Sequence, residues 1–384
     1  MSDLLHVASR KGLFSFRRGA AGWSAGEPAF IGEPVSAVLT DPRDGAIYAA
    51  LRLGHFGVKL HRSDDGGETW KALQAPAFPP AAEGDAEAPS VDTIWTLAAG
   101  GPDQPGLIWA GIAPSAVFVS RDRGESWELV RGLYDRPERQ KWFGGGTELA
   151  APHSIRVDPR DSSKVTVAVS CGGIWKSDDA GETWRQAGHG LRNAYMPPDQ
   201  AFDPTTQDPH LIAACPADPD IVWCQHHNGV FKSEDGAETF QEITEIAPSV
   251  FGFVVAPHPK EPGTAWFVPA VKDECRVPVD GKLVVTRTRD GGKSFEALDG
   301  GLPTGSWDLI YRHALDVEGE GVAEADPELA RDLLLHRDQG LARRLLGGPP
   351  ASGHDGVVSG RRLPPGQHVL AREIPRVLPS RPLV

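Results

Sequence analysis

Short apolar runs alternate with polar turns along most of the chain, and the alternation recurs with a fixed period. One repeat contains an apolar run such as residues 165–168, a few turn residues, and a second run such as residues 173–175. Runs this short, rich in Val, Ile and aromatic residues and bounded by Gly, Pro and Asp, are typical of β-strands. A further run precedes each Pro turn and another follows the polar turn. The pattern therefore predicts four short antiparallel strands per repeat, the number in one propeller blade.

A polar turn with the pattern Ser-x-Asp-x-Gly-x-Thr-Trp lies between the third and fourth strands of each repeat. Five copies begin at residues 63, 120, 177, 233 and 288, so consecutive starts are 57, 57, 56 and 55 residues apart. A fixed period of this size indicates repeated supersecondary units. Asp can accept backbone N–H groups in such a turn, and Gly supplies a positive φ. The predicted turn residues are Ser63, Asp65, Gly67, Trp70, Ser120, Asp122, Gly124, Trp127, Ser177, Asp179, Gly181, Trp184, Asp235 and Asp290.

These turns resemble the Asp-box, or BNR, repeats of sialidase-superfamily β-propellers. The resemblance implies an all-β propeller with the Asp boxes on the side of the blades away from the ligand. The whole chain also resembles bacterial BNR-repeat proteins of the WD40/YVTN/BNR type described as exo-sialidase-like or glycosyl-hydrolase-like. Five segments carry that wider resemblance: residues 7–14, 178–184, 225–231, 267–278 and 311–313.

The repeats predict seven blades, of which the last is incomplete. Two N-terminal strands supply part of one blade, five complete repeats follow, and a last inner strand is predicted over residues 307–315. We therefore assign residues 1–318 to a single propeller domain and residues 319–384 to an atypical tail in place of the last blade. The tail contains no Lys, and no Asp box stands near residue 343, where the period predicts one. We hypothesise a frameshift after about Asp316, with a naturally divergent tail as the alternative.

The amino-acid composition limits the kinds of partner that we expect the protein to bind and the cellular compartment in which we expect it. The 384 residues carry a net charge of −13, which argues against nucleic acid or an anionic membrane as the partner. No apolar run approaches the roughly 18 residues of a membrane span. The four cysteines are too few for a disulfide scaffold, and the N-terminus lacks the pattern of a signal peptide. We expect a soluble, cytoplasmic protein whose oligomeric state the sequence leaves open.

Blade topology separates the loops into two faces. The turns between strands 2 and 3 and the connections between blades share one face, here called the loop face, and the Asp boxes lie on the other. Polar and aromatic residues concentrate in the loop-face segments, which predicts a concave binding site there. No metal site is predicted, because the ligand spacing typical of zinc is missing, and no cofactor is expected. The predicted ligand-binding residues are Arg52, His55, His153, His210, Gln225, His226, His227, Asn228, Lys272, Arg276, Arg312 and His313.

Two functions stay open at this point. We favour a propeller that binds a small molecule, a glycan or a protein on the loop face. The alternative is a glycoside hydrolase, which needs two carboxyl groups beside the scissile bond. Its candidate catalytic residues are Asp208, Asp273, Glu274 and Tyr311. A sialidase would also need three arginines around the substrate carboxylate. Its Arg-Ile-Pro motif has a counterpart only at residues 275–278, after the fourth box, so sialidase activity is not expected.

Overall fold

The computed structural model describes residues 4–20, 22–80, 88–144 and 149–317. These residues form six antiparallel sheets that follow one another along the sequence, the first with three strands and the other five with four. We number the sheets as blades 1 to 6. Blades 1 and 2 consist of β1 (Leu4–Ser9), β2 (Gly12–Gly19), β3 (Gly22–Ala25), β4 (Val35–Thr40), β5 (Ile47–Arg52), β6 (Val58–Ser63) and β7 (Lys71–Leu73).

The remaining four blades repeat the order of blade 2. Blades 3 and 4 consist of β8 (Thr93–Ala99), β9 (Ile108–Ala113), β10 (Ala116–Ser120), β11 (Glu128–Leu129), β12 (Pro152–Asp158), β13 (Asp161–Val169), β14 (Gly173–Ser177) and β15 (Arg185–Ala187). Blades 5 and 6 consist of β16 (Pro209–Cys215), β17 (Asp218–His226), β18 (Gly229–Ser233), β19 (Gln241–Ile243), β20 (Gly252–Pro257), β21 (Ala265–Pro269), β22 (Val285–Thr288) and β23 (Glu296–Leu298).

Helical structure is confined to short connections. The described residues contain one α-helix, α1 (Arg131–Tyr134), and 3-10 turns at Gly54–Phe56, Pro137–Lys141, Pro204–Thr206 and Val279–Gly281. Among the described parts of the chain, none of these helices has the length and apolar character that a membrane crossing requires. The turn at Pro204–Thr206 ends two residues before Asp208, the buried carboxylate described below.

Large aromatic side chains fill the spaces within and between blades. Trp109, Trp175 and Trp184 belong to one buried cluster that joins blades 3 and 4, and Trp223 packs with Phe267 at the contact of blades 5 and 6. Burial of each such side chain contributes roughly 1.5–3 kcal/mol relative to an exposed position. The core is thus a series of apolar layers, each shared by neighbouring sheets.

The predicted number of seven blades is wrong. The described residues form six, and residues 307–315, predicted to be an inner strand, form no strand there. Ile310, Ala314 and Leu315 are buried in the core beside blade 6. An apolar pattern identifies segments that pack inward, but it does not show whether their backbone joins a hydrogen-bonded ladder. The incomplete last blade, the tail over residues 319–384 and its proposed frameshift lie outside the described residues.

All five Asp boxes connect the third and fourth strands of their blades, where the sequence predicted them. In the second box the Ser120 hydroxyl donates to the Asp122 carboxylate at 2.8 Å and accepts the Gly124 N–H at 2.8 Å. Asp122 in turn accepts the Ser126 N–H at 2.9 Å. The serine is 1 % exposed, whereas the aspartate is exposed. The aspartate accepts a backbone N–H as sequence analysis expected, but the buried member of the box is the serine.

We predict that Ser120→Ala lowers the free energy of unfolding by about 1–3 kcal/mol, because it leaves the buried Gly124 N–H without a partner. Asp122→Ala should cost about 1 kcal/mol, since water can replace the lost acceptor. The matched control is Ser126→Ala in the same turn, expected within about 0.5 kcal/mol of the parent. Urea denaturation measures all three. If Ser120→Ala were no more destabilising than Ser126→Ala, the serine would not hold the turn.

Candidate functional site

The inner strands of blades 2 to 6 each carry a register shift near the end that faces the loop side. In blades 3, 4 and 5 the shift skips Trp95, His153 and His210, and in blade 6 it spans Phe253. A bulge bends its strand and redirects the side chain of the extra residue. The repeated bulge therefore turns one side chain per blade toward a common channel at the centre of the ring.

Arg312 lies in this channel and joins the inner strands of three blades. Its guanidinium stands 5.0 Å from the centroid of the Trp95 ring and 5.3 Å from that of Phe253. Its Nε donates to the carbonyl of His210 at 2.5 Å. The neighbouring His313 contacts the His153 carbonyl through Nε2 at 2.7 Å. Residues 312 and 313 thus cross the channel and tie blades 3, 4, 5 and 6 together.

Asp208 and His227 meet because β16 and β17 pair antiparallel in blade 5. The register places Pro209 opposite His226, and one step further the His227 N–H donates to the Asp208 carbonyl at 3.0 Å. The side chains meet as well, with 3.3 Å between His227 Nδ1 and Asp208 Oδ2. Residues that are 19 positions apart in the sequence therefore become neighbours through a single hairpin.

His210 completes the group through the bulge of β16. Its Nε2 is 3.8 Å from Asp208 Oδ2, and its Nδ1 is 2.7 Å from the carbonyl of Gly252 in the next blade. The imidazole also stacks on the Phe253 ring, with 4.1 Å between centroids and 3° between planes. We call Asp208, His210 and His227 the histidine–aspartate cluster.

Blade 4 supplies two donors that fix the buried carboxylate. Asp208 Oδ1 accepts the Ser170 hydroxyl at 3.0 Å and the Cys171 N–H at 3.2 Å. Burial alone would raise the pKa of Asp208, but the hydrogen bond with His227 and the charge of Arg312 hold it well below its usual range. Burial, reinforced by Arg312, holds the pKa of His210 well below its ordinary value. The cluster at neutral pH therefore contains an ionised Asp208 beside a neutral His210.

Partly exposed groups surround the cluster on the loop face. Tyr195, which is 43 % exposed, packs edge-on against His227 with 5.0 Å between ring centroids. Asp273 also contacts His227, with 3.7 Å between its Oδ2 and His227 Nε2. Arg276 pairs with Asp273 and stands 5.4 Å from the Phe253 ring centroid. Blades 4, 5 and 6 together thus form a rim that opens to solvent.

Three predicted site residues hydrogen-bond to backbone groups of the loop face. His226 is buried between the Asp208 and Asn228 amides, and burial lowers its pKa to about 3. Gln225 donates to the carbonyls of Gly229 and Val250, and Asn228 accepts the Ala194 N–H. These side chains form hydrogen bonds with backbone groups, and the bonds stabilise the turn that carries His227.

The other predicted residues lie at the edge of the site or away from it. Arg52 pairs with Asp92 at 2.8 Å between blades 2 and 3, and the exposed His55 ring is tilted against that of Phe56. Lys272 and Glu274 form an exposed pair at 3.4 Å. Tyr311 packs near Phe253 with 5.4 Å between ring centroids, and His153 is fully buried in the channel.

Sequence analysis left Ser170, Cys171, Tyr195 and the channel aromatics Trp95 and Phe253 out of the predicted site. The aromatics stand at the same position in their inner strands as His153 and His210, so alignment of the repeats could have found them. Cys171 lies in the turn between strands 2 and 3 of the preceding blade, which brings it against Asp208. That proximity follows from the order of blades in a ring.

A second concavity of about 290 Å³ lies on the Asp-box face between blades 4 and 5. Its charged groups pair with one another: Arg160 with Asp158 and Asp220, and both Lys176 and Arg185 with Glu238. An ion-pair network of this kind neutralises its own charges. The histidine–aspartate cluster is therefore the better candidate for chemistry.

Comparisons with known proteins agree on the fold. The model of the BNR/Asp-box repeat matches residues 61–72, and no curated protein matches the sequence. Three solved structures are similar. An ancestral GH74 enzyme is 17% identical with a TM-score of 0.52, over 74% of this chain and 33% of its own. The GH74 xyloglucanase from Xanthomonas campestris is 17% identical with a TM-score of 0.55, over 78% and 44%. Ycf48 from Cyanidioschyzon merolae is 16% identical with a TM-score of 0.50, over 80% and 84%.

These likenesses bear on architecture alone. The chain spans less than half the length of the two GH74 structures it matches. Identities this low accompany a shared fold without a shared activity. The prediction of a β-propeller with BNR/Asp-box repeats is confirmed, and the function has to be argued from the site.

Proposed function

We propose that this BNR/Asp-box β-propeller binds a small polar ligand on its loop face, at the histidine–aspartate cluster. The observation that supports it is the convergence of three blades on a buried, ionised Asp208 that has a partly exposed rim. Tyr195 and Asp273 both contact His227, the most exposed member of the cluster, so a ligand could reach the cluster from solvent past these two side chains. Buried polar groups beneath an aromatic rim are typical of small-ligand sites.

The carboxyl groups of the site suit binding better than glycoside hydrolysis. A glycosidase needs one carboxyl group with a raised pKa as its general acid. The pKa of Asp208 is lowered, and the pKa of Glu274 is lowered by its own backbone N–H and by Lys272. The His227 imidazole stands between Asp208 and Asp273. This arrangement leaves no space for a glycosidic bond between those two carboxylates.

The arginines also fail to form the carboxylate-binding group of a sialidase. Arg276 and Arg312 both approach the Phe253 ring, but Arg312 is buried and donates to the His210 carbonyl. Arg52 pairs with Asp92 elsewhere on the face. One exposed arginine near the cluster can assist binding of an anionic group, which is consistent with a small acid as the ligand.

We predict that a thermal-shift panel of hydroxy acids, dicarboxylates, monosaccharides and dipeptides contains a compound that raises the melting temperature by several degrees. A ligand that binds only the folded state stabilises it by mass action. The double variant Tyr195→Ala, Asp273→Ala should lose the shift, and Arg52→Ala, the control on the same face, should keep it. If no compound stabilises the wild type, or if the double variant responds equally, the site is not the one proposed.

A further inference from the structure

The three side chains of the histidine–aspartate cluster present ligand atoms to one point. One atom from each of Asp208, His210 and His227 lies within 4.8 Å of the others. A first-row divalent ion binds His nitrogen and Asp oxygen at about 2.0–2.2 Å, so ligand atoms around one ion are about 3–3.5 Å apart. The observed separations from Asp208 Oδ2 are 3.3 Å to His227 and 3.8 Å to His210. Small side-chain rotations would bring all three to bonding distance.

Each of the three side chains is also oriented by a second group, as metal ligands usually are. The Nδ1 of His210 contacts the Gly252 carbonyl at 2.7 Å, which fixes the proton there and leaves the Nε2 lone pair toward Asp208. Asp208 uses Oδ1 for Ser170 and Cys171, and its Oδ2, which faces His227 Nδ1 at 3.3 Å, would exchange that contact for the cation. His227 would bind through Nδ1 and keep its proton on Nε2, which faces the Asp273 carboxylate at 3.7 Å.

We infer that Asp208, His210 and His227 form a binding site for a divalent first-row transition-metal ion on the loop face. Two imidazoles and one carboxylate suit zinc, iron(II) or manganese(II) better than calcium or magnesium, which prefer oxygen ligands alone. Three protein ligands leave positions open for water or for a ligand oxygen. The inference deepens the proposed function, since an anionic ligand would complete the metal's coordination.

Solvent access supports a site that exchanges its ion and ligand. The His227 side chain is 16% exposed, while Asp208 and His210 are 5% and 3% exposed. An ion would enter past Tyr195 and Asp273 and come to rest on the two buried ligands. Within the described residues, this is the only group of three or more His, Cys, Asp and Glu side chains whose ligand atoms converge in this way.

Isothermal titration of the chelator-treated full chain with zinc chloride tests the inference. We expect one zinc ion per chain in the wild type, at least 100-fold weaker binding in His227→Ala, and about 10–100-fold weaker binding in Asp273→Asn. His55→Ala, which removes an exposed histidine outside the cluster, should bind like the wild type. Zinc bound equally by wild type and His227→Ala, or no binding at micromolar concentrations, would overturn the metal site.

Two further measurements separate misfolding and ligand binding from metal binding. If His227→Ala has a disturbed circular dichroism spectrum, X-ray absorption of the zinc-loaded wild type decides, because the site requires two imidazoles and no sulfur in the first shell. The thermal-shift panel is repeated with chelator. A shift that survives the chelator while zinc fails to bind rejects the metal site and keeps the proposed function. If one zinc ion binds per chain but no compound of the panel raises the melting temperature, the metal site is kept and the proposed function is rejected.

Discussion

Trp175→Ala is expected to destabilise the protein by about 3–5 kcal/mol, the largest loss we predict for any single side chain. Trp175 is fully buried in the cluster shared by blades 3 and 4. Its indole N–H donates to the Gly172 carbonyl at 2.8 Å, in the turn that also carries Cys171. The substitution would therefore leave a large cavity in the core and release the turn whose Ser170 hydroxyl and Cys171 N–H hold Asp208.

Trp307→Ala is the matched control, because the Trp307 side chain is 69% exposed. It should shift the urea midpoint by an amount equivalent to no more than about 0.5 kcal/mol. Tryptophan fluorescence and far-ultraviolet circular dichroism should report the same transition for the parent and both variants. Equal midpoints for Trp175→Ala and Trp307→Ala would mean that the interface between blades 3 and 4 is not packed as described.

Arg312→Ala is expected to cost about 2–4 kcal/mol of stability and to weaken ligand binding at the same time. The lost interactions are a hydrogen bond from a charged group, worth about 1.5–3 kcal/mol, and contacts with the faces of Trp95 and Phe253. Sequence analysis placed Arg312 among the predicted ligand-binding residues. Its burial in the channel adds a structural role, because the residue joins three inner strands.

Arg276→Ala provides the comparison for Arg312→Ala. Both guanidinium groups approach the Phe253 ring, yet the Arg276 side chain is 40% exposed and pairs with Asp273 at the rim. Exposed pairs of this kind contribute about 0–1 kcal/mol. Thermal and urea denaturation should therefore distinguish the two variants clearly. Similar stabilities for both would show that Arg312 does not bridge the channel.

The sequence was sufficient to predict the architecture of each repeat. The Asp-box period, the Pro turns and the alternation of apolar runs gave four strands per repeat and the separation into two faces. Local signals suffice here because each blade is a set of consecutive hairpins, and Gly, Asp and Pro identify the turns of those hairpins in the sequence. The number of blades needed information beyond the repeat, because Ile310, Ala314 and Leu315 are buried although residues 307–315 form no strand among the described residues.

The candidate site was only partly predictable, for a reason that lies in strand register. Asp208, His210 and His227 were all among the predicted residues, but no short spacing connects Asp208 with His227. Their meeting depends on the pairing of β16 with β17 and on the bulge that skips His210. The short spacing typical of zinc ligands therefore does not point to the cluster, since a hairpin brings side chains together at separations that depend on its length.

The most direct test of the proposed metal site is anomalous diffraction, at the zinc absorption edge, from crystals of the full chain grown with zinc. We expect a peak on the loop face within bonding distance of Asp208 Oδ2, His210 Nε2 and His227 Nδ1, with density for water or a ligand oxygen in the remaining positions. If that peak is absent and zinc is found only at exposed histidines such as His55, these three residues do not form a metal site.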